Sequence, residues 1–194
     1  MAWVLVGVYA VTFAAQAIVL IPRNPGLLAE RSSRMRRGTK LWDRVLLPLY
    51  GTTTLAVLVV AGLAERLNWG TRIPSWLQYL GLALALLGNG LVTWAMAANA
   101  FFAFSVRLQT DRNQSVATGG PYAAVRHPGY AGASLFALGT ALLLGSAWAL
   151  MPAAASVLLL IIRTALEDRT LEKELPGYVE YSGRTPFRLV PGVW

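Results

Sequence analysis

PGYAGASLFALGTALLLGSAWALMPAAASVLLLII, residues 128–162, runs for thirty-five residues without an Asp, Glu, Lys or Arg. As one α-helix it would be about 50 Å long at 1.5 Å per residue. The hydrocarbon core of a bilayer is only about 30 Å thick. Two shorter helices turning near Gly145-Ser146 fit better, at about Gly129–Leu144 and Ala147–Thr164. This choice decides the fold, because a hairpin returns the chain to the side it started from.

Working outward, residues 1–22, 45–64 and 73–106 are also free of charge. They predict helices over Ala2–Ile21 (ended by Pro22 and Pro25), Val45–Ala64 and Trp76–Ala98, the last leading through Asn99–Val106 toward the interface. The chain is 56% hydrophobic and 13% charged, against roughly 25% charged in soluble domains. The first run lacks a basic leading segment and does not read as a signal peptide. The charges fall in blocks between the runs, as in a polytopic membrane protein.

The net charge of +8 is therefore assigned by position. Residues 23–44 hold Arg23, Arg31, Arg34, Arg36, Arg37, Lys40 and Arg44 against Glu30 and Asp43, a net of +5. Such a block belongs at a cytoplasmic membrane surface, against anionic lipid. It carries one aromatic, Trp42, and no nucleic-acid motif, so nucleic acid is not an expected partner. The loop 65–72 is then outside, and 107–127 returns inside with Arg107, Arg112 and Arg126. The hairpin puts Arg163, Arg169, Lys173, Arg184 and Arg188 on that same side. The expectation is an all-α polytopic membrane protein of about five transmembrane helices, N-terminus outside and C-terminus cytoplasmic, with the last two spans a helical hairpin. Residues 1–98 form three helices with their basic loop, and 99–194 a catalytic or binding core.

Cysteine is absent and histidine occurs once. That removes disulfides, thiolate ligands and cysteine nucleophiles, and argues against a zinc site. In the third run, Gly81 and Ala85 form a small-xxx-small pair that Gly88 extends, which lets a neighbouring helix approach closely. Asn89 is read as bonding that neighbour.

The polar chemistry gathers at the cytoplasmic face. GGPYAAVRHPGY, residues 119–130, makes a turn at Gly119-Gly120-Pro121 and opens a helix at Pro128, where a missing N–H costs nothing. The helix N-terminus and Arg126 favour an anion. Tyr122 and Tyr130 offer flat faces with polar tips. Arg163 and Glu167 are four residues apart and share a helix face. They are either a helix-end ion pair with Arg163 snorkelling to the headgroups, or a site needing a cation beside an anion. The whole looks like a pocket for an amphipathic ligand with an aromatic ring and charged groups.

RHPGY, a following hairpin, the Glu167-Asp168 pair and the tyrosines of GYVEY together resemble the isoprenylcysteine carboxyl methyltransferase family, in its bacterial form. The likeness covers about Asn99 to the C-terminus; the upstream block NPGLLAERSSRMRRGTKLWD also looks similar, without assigned chemistry. The resemblance implies an integral-membrane, S-adenosylmethionine-dependent methyltransferase with its site facing the cytoplasm. It implies cofactor contacts from Gln109, from Gln114, Ser115, Val116 and Ala117 through backbone, and from Tyr122, His127, Pro128, Gly129, Tyr130 and Glu167, with Arg126 beside them. It implies that Arg163 faces the substrate and the chemistry. Asp168 stands where relatives more often carry a second glutamate, and the segment before Tyr178 and Tyr181 is shorter than usual, which leaves their roles open. No metal is implied.

Methyl transfer needs position and desolvation above all. A carboxylate acceptor needs no base and suits Arg163. An amine acceptor would need one, with His127 or Glu167 the candidates. The expected acceptor is lipophilic, entering from the bilayer, with a carboxylate as its reacting group. The alternatives are a phospholipid N-methyltransferase, an NADPH-dependent sterol-type membrane reductase, and a non-catalytic membrane scaffold.

Overall fold

The computed structural model describes residues 1–24, 38–70 and 73–194. The heart of the basic block, residues 25–37, lies outside the described residues, as do 71–72 of the predicted outer loop. The architecture is all-α, with six helices among the described residues: α1 (Ala2–Arg23), α2 (Asp43–Arg66), α3 (Ser75–Ala98), α4 (Pro128–Leu143), α5 (Leu150–Glu174) and α6 (Tyr178–Arg184). Two single 3₁₀ turns, Thr110–Arg112 and Gly120–Ala123, lie between α3 and α4.

Four helices (α1, α2, α3 and α5) are long and apolar enough to cross a membrane. The fifth, α4, has sixteen residues, about 24 Å at 1.5 Å per residue. Its shortness is matched by its seclusion: Gly132, Ala137, Gly139, Ala141 and Leu143 are buried. The outer helices turn large apolar side chains outward instead. Trp3, Phe13, Ile18, Leu55 and Leu87 are all more than half exposed, the surface a lipid-facing helix presents rather than a water-facing one.

The α3–α4 interface rests on missing side chains. A Cβ on Gly132 would stand 2.6 Å from the Gly88 carbonyl oxygen, and one on Gly139 2.7 Å from that of Gly81. Ala85, between the two glycines of α3, is fully buried. The small-residue face read from the sequence is thus a seam along which two backbones touch. Asn89 is different from its reading: its Nδ2 is buried and finds no hydrogen-bond partner among the described residues.

The hairpin turns at Gly145, in the left-handed region at φ +74°, which only glycine adopts without strain. Its carbonyl accepts from Ile73 N–H at 3.1 Å, tying the turn to the start of α3. At this end Val57 and Ala61 of α2 pack with Ala141, Ala149 and Ala153. Of the boundaries that differ from the sequence reading, two have a clear local cause. Helix α1 passes through Pro22 and ends one residue later; a proline in the last turn removes one backbone bond without stopping the helix. Helix α5 was expected to end at Thr164 and continues ten residues further, to Glu174. The segment ALEDRTLEKE is made of good helix formers, so leaving the apolar zone does not end the helix. Pro176 and Gly177, the latter at φ +81°, do. One rod therefore carries both the apolar span and the acidic residues beyond it.

Candidate functional site

The segment between α3 and α4 wraps into a pocket against the far end of α5 and against α6. The cavity encloses about 880 Å³ of empty space, its open mouth included. Its walls are loop residues between positions 99 and 109, the stretch 114–117, the turn holding Tyr122, the RHPGY corner, and Glu167, Thr170 and Leu171 of α5. Of the residues expected to hold a cofactor, Gln109, Gln114, Ser115, Val116, Ala117, Tyr122, Arg126, His127, Gly129, Tyr130 and Glu167 all line it. Pro128 and Arg163 do not. Pro128 is buried at the first position of α4, where it shapes the corner.

Gln109 is 1% exposed and organises its loop from both ends of its amide. Nε2 donates to the Phe101 carbonyl at 2.7 Å, and Oε1 accepts from Arg112 at 2.7 Å. Its backbone N–H donates to Gln114 Oε1 at 2.7 Å. Both glutamines thus set the loop as well as facing the cavity. Asn113 between them adopts the left-handed region at φ +52°, which asparagine tolerates.

Four tyrosines face the cavity. Tyr122 accepts from Asn99 Nδ2 at 3.2 Å, and its carbonyl accepts from the Tyr181 hydroxyl at 2.7 Å. Tyr178 and Tyr181 meet edge to face, 5.6 Å between centroids. Tyr130 stacks parallel to the His127 ring at 5.7 Å and donates to Glu167 at 2.5 Å. Burial holds the Tyr122 hydroxyl well above the usual tyrosine range, against the smaller opposing effect of Asn99. Burial also raises Tyr178, with the Asp168 carboxylate adding to it. It pushes Tyr181 up to about 12, partly opposed by Arg126. These hydroxyls stay protonated donors across any physiological pH.

Asp168, the residue after Glu167, is the hub that sequence reasoning passed over. It is completely buried. Oδ1 accepts from Arg126 Nε at 2.9 Å and from the Tyr178 hydroxyl at 2.7 Å, with His127 Nε2 at 3.2 Å. Oδ2 accepts from Arg126 Nη2 at 2.6 Å and Arg188 Nε at 2.7 Å. Consecutive residues on a helix diverge by about 100°, so Glu167 faces the cavity while Asp168 faces the C-terminal segment. That segment is bound further by backbone: Arg126 N–H donates to Phe187 O and His127 N–H to Arg188 O, both at 2.9 Å. The remaining Arg126 nitrogen, Nη1, donates to the Thr185 and Pro186 carbonyls at 2.9 Å each.

Arg126 is read from the sequence as favouring a bound anion; each of its guanidinium nitrogens already donates within the protein, four of its five N–H groups being so placed. Burial lowers its basicity, but the bonds from Asp168 more than offset this, and its pKa is raised. Arg163 is corrected as well. It does not pair with Glu167 and stands behind Tyr130, its guanidinium carbon 5.2 Å from the ring centroid. Its Nε and Nη2 donate to Asp43 at 2.7 and 3.1 Å, and Nη2 also to the Phe104 carbonyl. Nη1 is the nitrogen left uncommitted among the described residues. The partner, Asp43, lies 120 residues away, where no local spacing rule could find it.

The arrangement offers Glu167 as a half-buried anionic edge, tyrosine faces for an aromatic ring, and amides for polar groups. That donor set fits S-adenosylmethionine, which presents an adenine ring, a ribose, an ammonium and a sulfonium. Among the described residues no group of three or more His, Cys, Asp or Glu side chains is placed to share a metal ion.

Residues 76–176, just over half the chain, match the phospholipid methyltransferase family. The matched segment runs from α3 to beyond the end of α5 and contains every cavity residue named above except Tyr178 and Tyr181. A cobalt-zinc-cadmium resistance protein, CzcN, of Cupriavidus metallidurans is 33% identical over 121 residues, covering 58% of this chain. The chain spans about half the length of that curated relative, 50%.

Proposed function

Because this chain belongs to the phospholipid methyltransferase family, we propose that it moves a methyl group from S-adenosylmethionine to a lipophilic acceptor at the cytoplasmic edge of a membrane. Family membership implies the cofactor and a lipid-type substrate. The observation that carries the reading is the convergence of eleven expected cofactor residues on one cavity at the end of the apolar helices.

When bound, S-adenosylmethionine supplies an already activated methyl. The protein's part is to hold and dehydrate. Glu167, fixed by Tyr130, suits the ammonium or ribose hydroxyls of the cofactor. Tyr122, Tyr178 and Tyr181 supply aromatic faces for adenine and for the sulfonium. Arg163 precedes Glu167 on α5 by four residues, about 6 Å deeper along the rod. Its Nη1, uncommitted among the described residues, suits the anionic group of an acceptor that arrives from the bilayer.

A carboxylate acceptor, as in isoprenylcysteine O-methylation, is favoured because it needs no base, and the two candidate bases already hold partners within the protein. His127 is tied to Asp168 and Tyr178, and Glu167 already accepts from Tyr130. The phospholipid amine reading stands on the family's own description and is the second choice. The orientation proposed is N-terminus outside and C-terminus inside, from the charge blocks.

The test is isothermal titration of the detergent-solubilised protein with S-adenosylhomocysteine, beside NADPH. Binding of the first, abolished by Glu167→Ala, is expected. NADPH binding alone would move the protein to the reductase class, and binding of neither by folded protein would leave a scaffold. A radiolabelled-methyl assay on prenylated carboxylates and phosphatidylethanolamine then separates the two acceptors.

A further inference from the structure

One wall of the cavity is held from outside the family-matched segment. Ser105 and Val106 line the pocket, yet they belong to a stretch without secondary structure of its own. Their bonds go to the start of α2. Val106 N–H donates to Asp43 Oδ2 at 2.6 Å, and the Val106 carbonyl accepts from Lys40 N–H at 2.9 Å. The Thr39 hydroxyl donates to Ser105 Oγ at 3.2 Å. Asp43 is completely buried and Thr39 is 4% exposed. The same Asp43 carboxylate grips Arg163 behind Tyr130, and Arg163 in turn holds the Phe104 carbonyl. Two walls of the cavity, the 104–106 stretch and the pair of Tyr130 with Glu167, therefore meet at one carboxylate on α2.

We propose that Thr39, Lys40 and Asp43 form a clasp that positions the cofactor pocket, with Asp43 its principal positioning residue. The inference rests on the methyltransferase reading and assigns these residues a part in ligand affinity, whereas the family match begins only at residue 76. A buried carboxylate could instead serve stability alone, and the two roles separate experimentally. An asparagine at 43 puts an NH₂ where one carboxylate oxygen stood, and in either amide orientation that donor faces another donor: Arg163 Nε on the Oδ1 side, or Val106 N–H and Arg163 Nη2 on the Oδ2 side. The wall then loosens while the helix remains. A pocket wall displaced by a fraction of an ångström loses its complementarity, whereas a lesion at the other end of α2 does not reach it.

Asp43→Asn, Thr39→Val and Val57→Ala are compared by titration with S-adenosylhomocysteine and by thermal unfolding in the same detergent. Val57 is buried at the hairpin end of α2, away from the pocket. Asp43→Asn weakens S-adenosylhomocysteine binding by about tenfold, the size of a coupling between residues in contact. Thr39→Val, nearly isosteric, weakens it about threefold, the scale of one neutral hydrogen bond. Val57→Ala lowers the melting temperature and leaves affinity within about twofold, as expected for a distant, independent site. Should Asp43→Asn fail to fold, Thr39→Val carries the decision. If clasp variants and Val57→Ala leave affinity equally untouched, the clasp is a stability device and the proposal is overturned. If wild-type protein, folded by circular dichroism, binds no S-adenosylhomocysteine, the methyltransferase reading fails first and takes the proposal with it.

Discussion

Asp168→Asn is the most informative single change in this chain. The wild-type carboxylate meets donors from Arg126, Tyr178 and Arg188 and a ring nitrogen of His127, all within 3.2 Å. An amide of the same shape keeps one acceptor oxygen, and its NH₂ must face groups that also donate. Removing one partner of a buried ion pair costs about 3–5 kcal/mol. The lower end applies here for two reasons. Arg126 keeps its bonds to the Thr185 and Pro186 carbonyls, and Arg188, 30% exposed, can turn to water. About 3 kcal/mol corresponds to roughly a hundredfold shift in the docking of the C-terminal segment. The loss is expected to be local, because the α3–α4 seam and the cluster of Val57 with Ala153 do not involve Asp168. Limited proteolysis at Arg184 and Arg188 should then accelerate by about two orders of magnitude when opening is in rapid equilibrium. S-adenosylhomocysteine affinity should fall in parallel, since Tyr178 and Tyr181 leave the cavity wall with the segment. Unchanged protection of Arg184 and Arg188, in a variant whose overall melting is also unchanged, would refute the hub.

Other perturbations test other parts. Gly132→Ala places a Cβ 2.6 Å from the Gly88 carbonyl and 3.0 Å from Val92 N; both are backbone, so α3 and α4 must part, at about 1–3 kcal/mol of overpacking. Gly90→Ala, with nothing within 4 Å, is the control and should melt at or above wild type, since alanine favours the helix over glycine. Raising the pH should destabilise the pocket from about pH 10 upward: Tyr181 and its neighbours have folded pKa values above the unfolded one, so their contribution is complete below pH 10 and is lost as pH rises through about 12 for Tyr181, which ultraviolet absorbance of tyrosinate beside the unfolding signal will follow. Tyr130→Phe removes the hydroxyl that donates to Glu167 and should weaken S-adenosylhomocysteine binding by about tenfold to a hundredfold, the range for a hydrogen bond to a charged group; undiminished affinity would remove Tyr130 from the site.

What could be read in the sequence follows from range. The hairpin was legible because a bilayer sets a length, and thirty-five uncharged residues exceed it. The small-residue face of Gly81, Ala85 and Gly88 was legible because helical period is local. The residues expected to hold a cofactor followed from RHPGY and its resemblance, and all but Pro128 line one cavity. The pairs of Asp43 with Arg163 and Asp168 with Arg188 escaped because each joins elements that only the folded chain brings together. Of the two readings of Arg163 and Glu167, the helix-end ion pair does not form, because the bidentate partner on α2 takes Arg163. The partners of Arg126, Asp168 and the 185–186 carbonyls, were beyond local spacing for the same reason. The extension of α5 was missed because loss of apolarity was taken as loss of helix, although Glu, Lys, Leu and Arg favour it.

The backbone-to-backbone seam between α3 and α4 has a mechanical consequence. With no side chains interposed to act as cushions, the two helices cannot slide or rotate by rotamer adjustment, and they behave as a single stiff beam. The cavity is therefore built from unequal materials. Gly129 and Tyr130, at the head of α4, belong to the beam and set a fixed datum. The 109–117 loop opposite, with its 3₁₀ turn and left-handed Asn113, is held by side-chain bonds through Gln109 and Gln114 instead of a backbone seam.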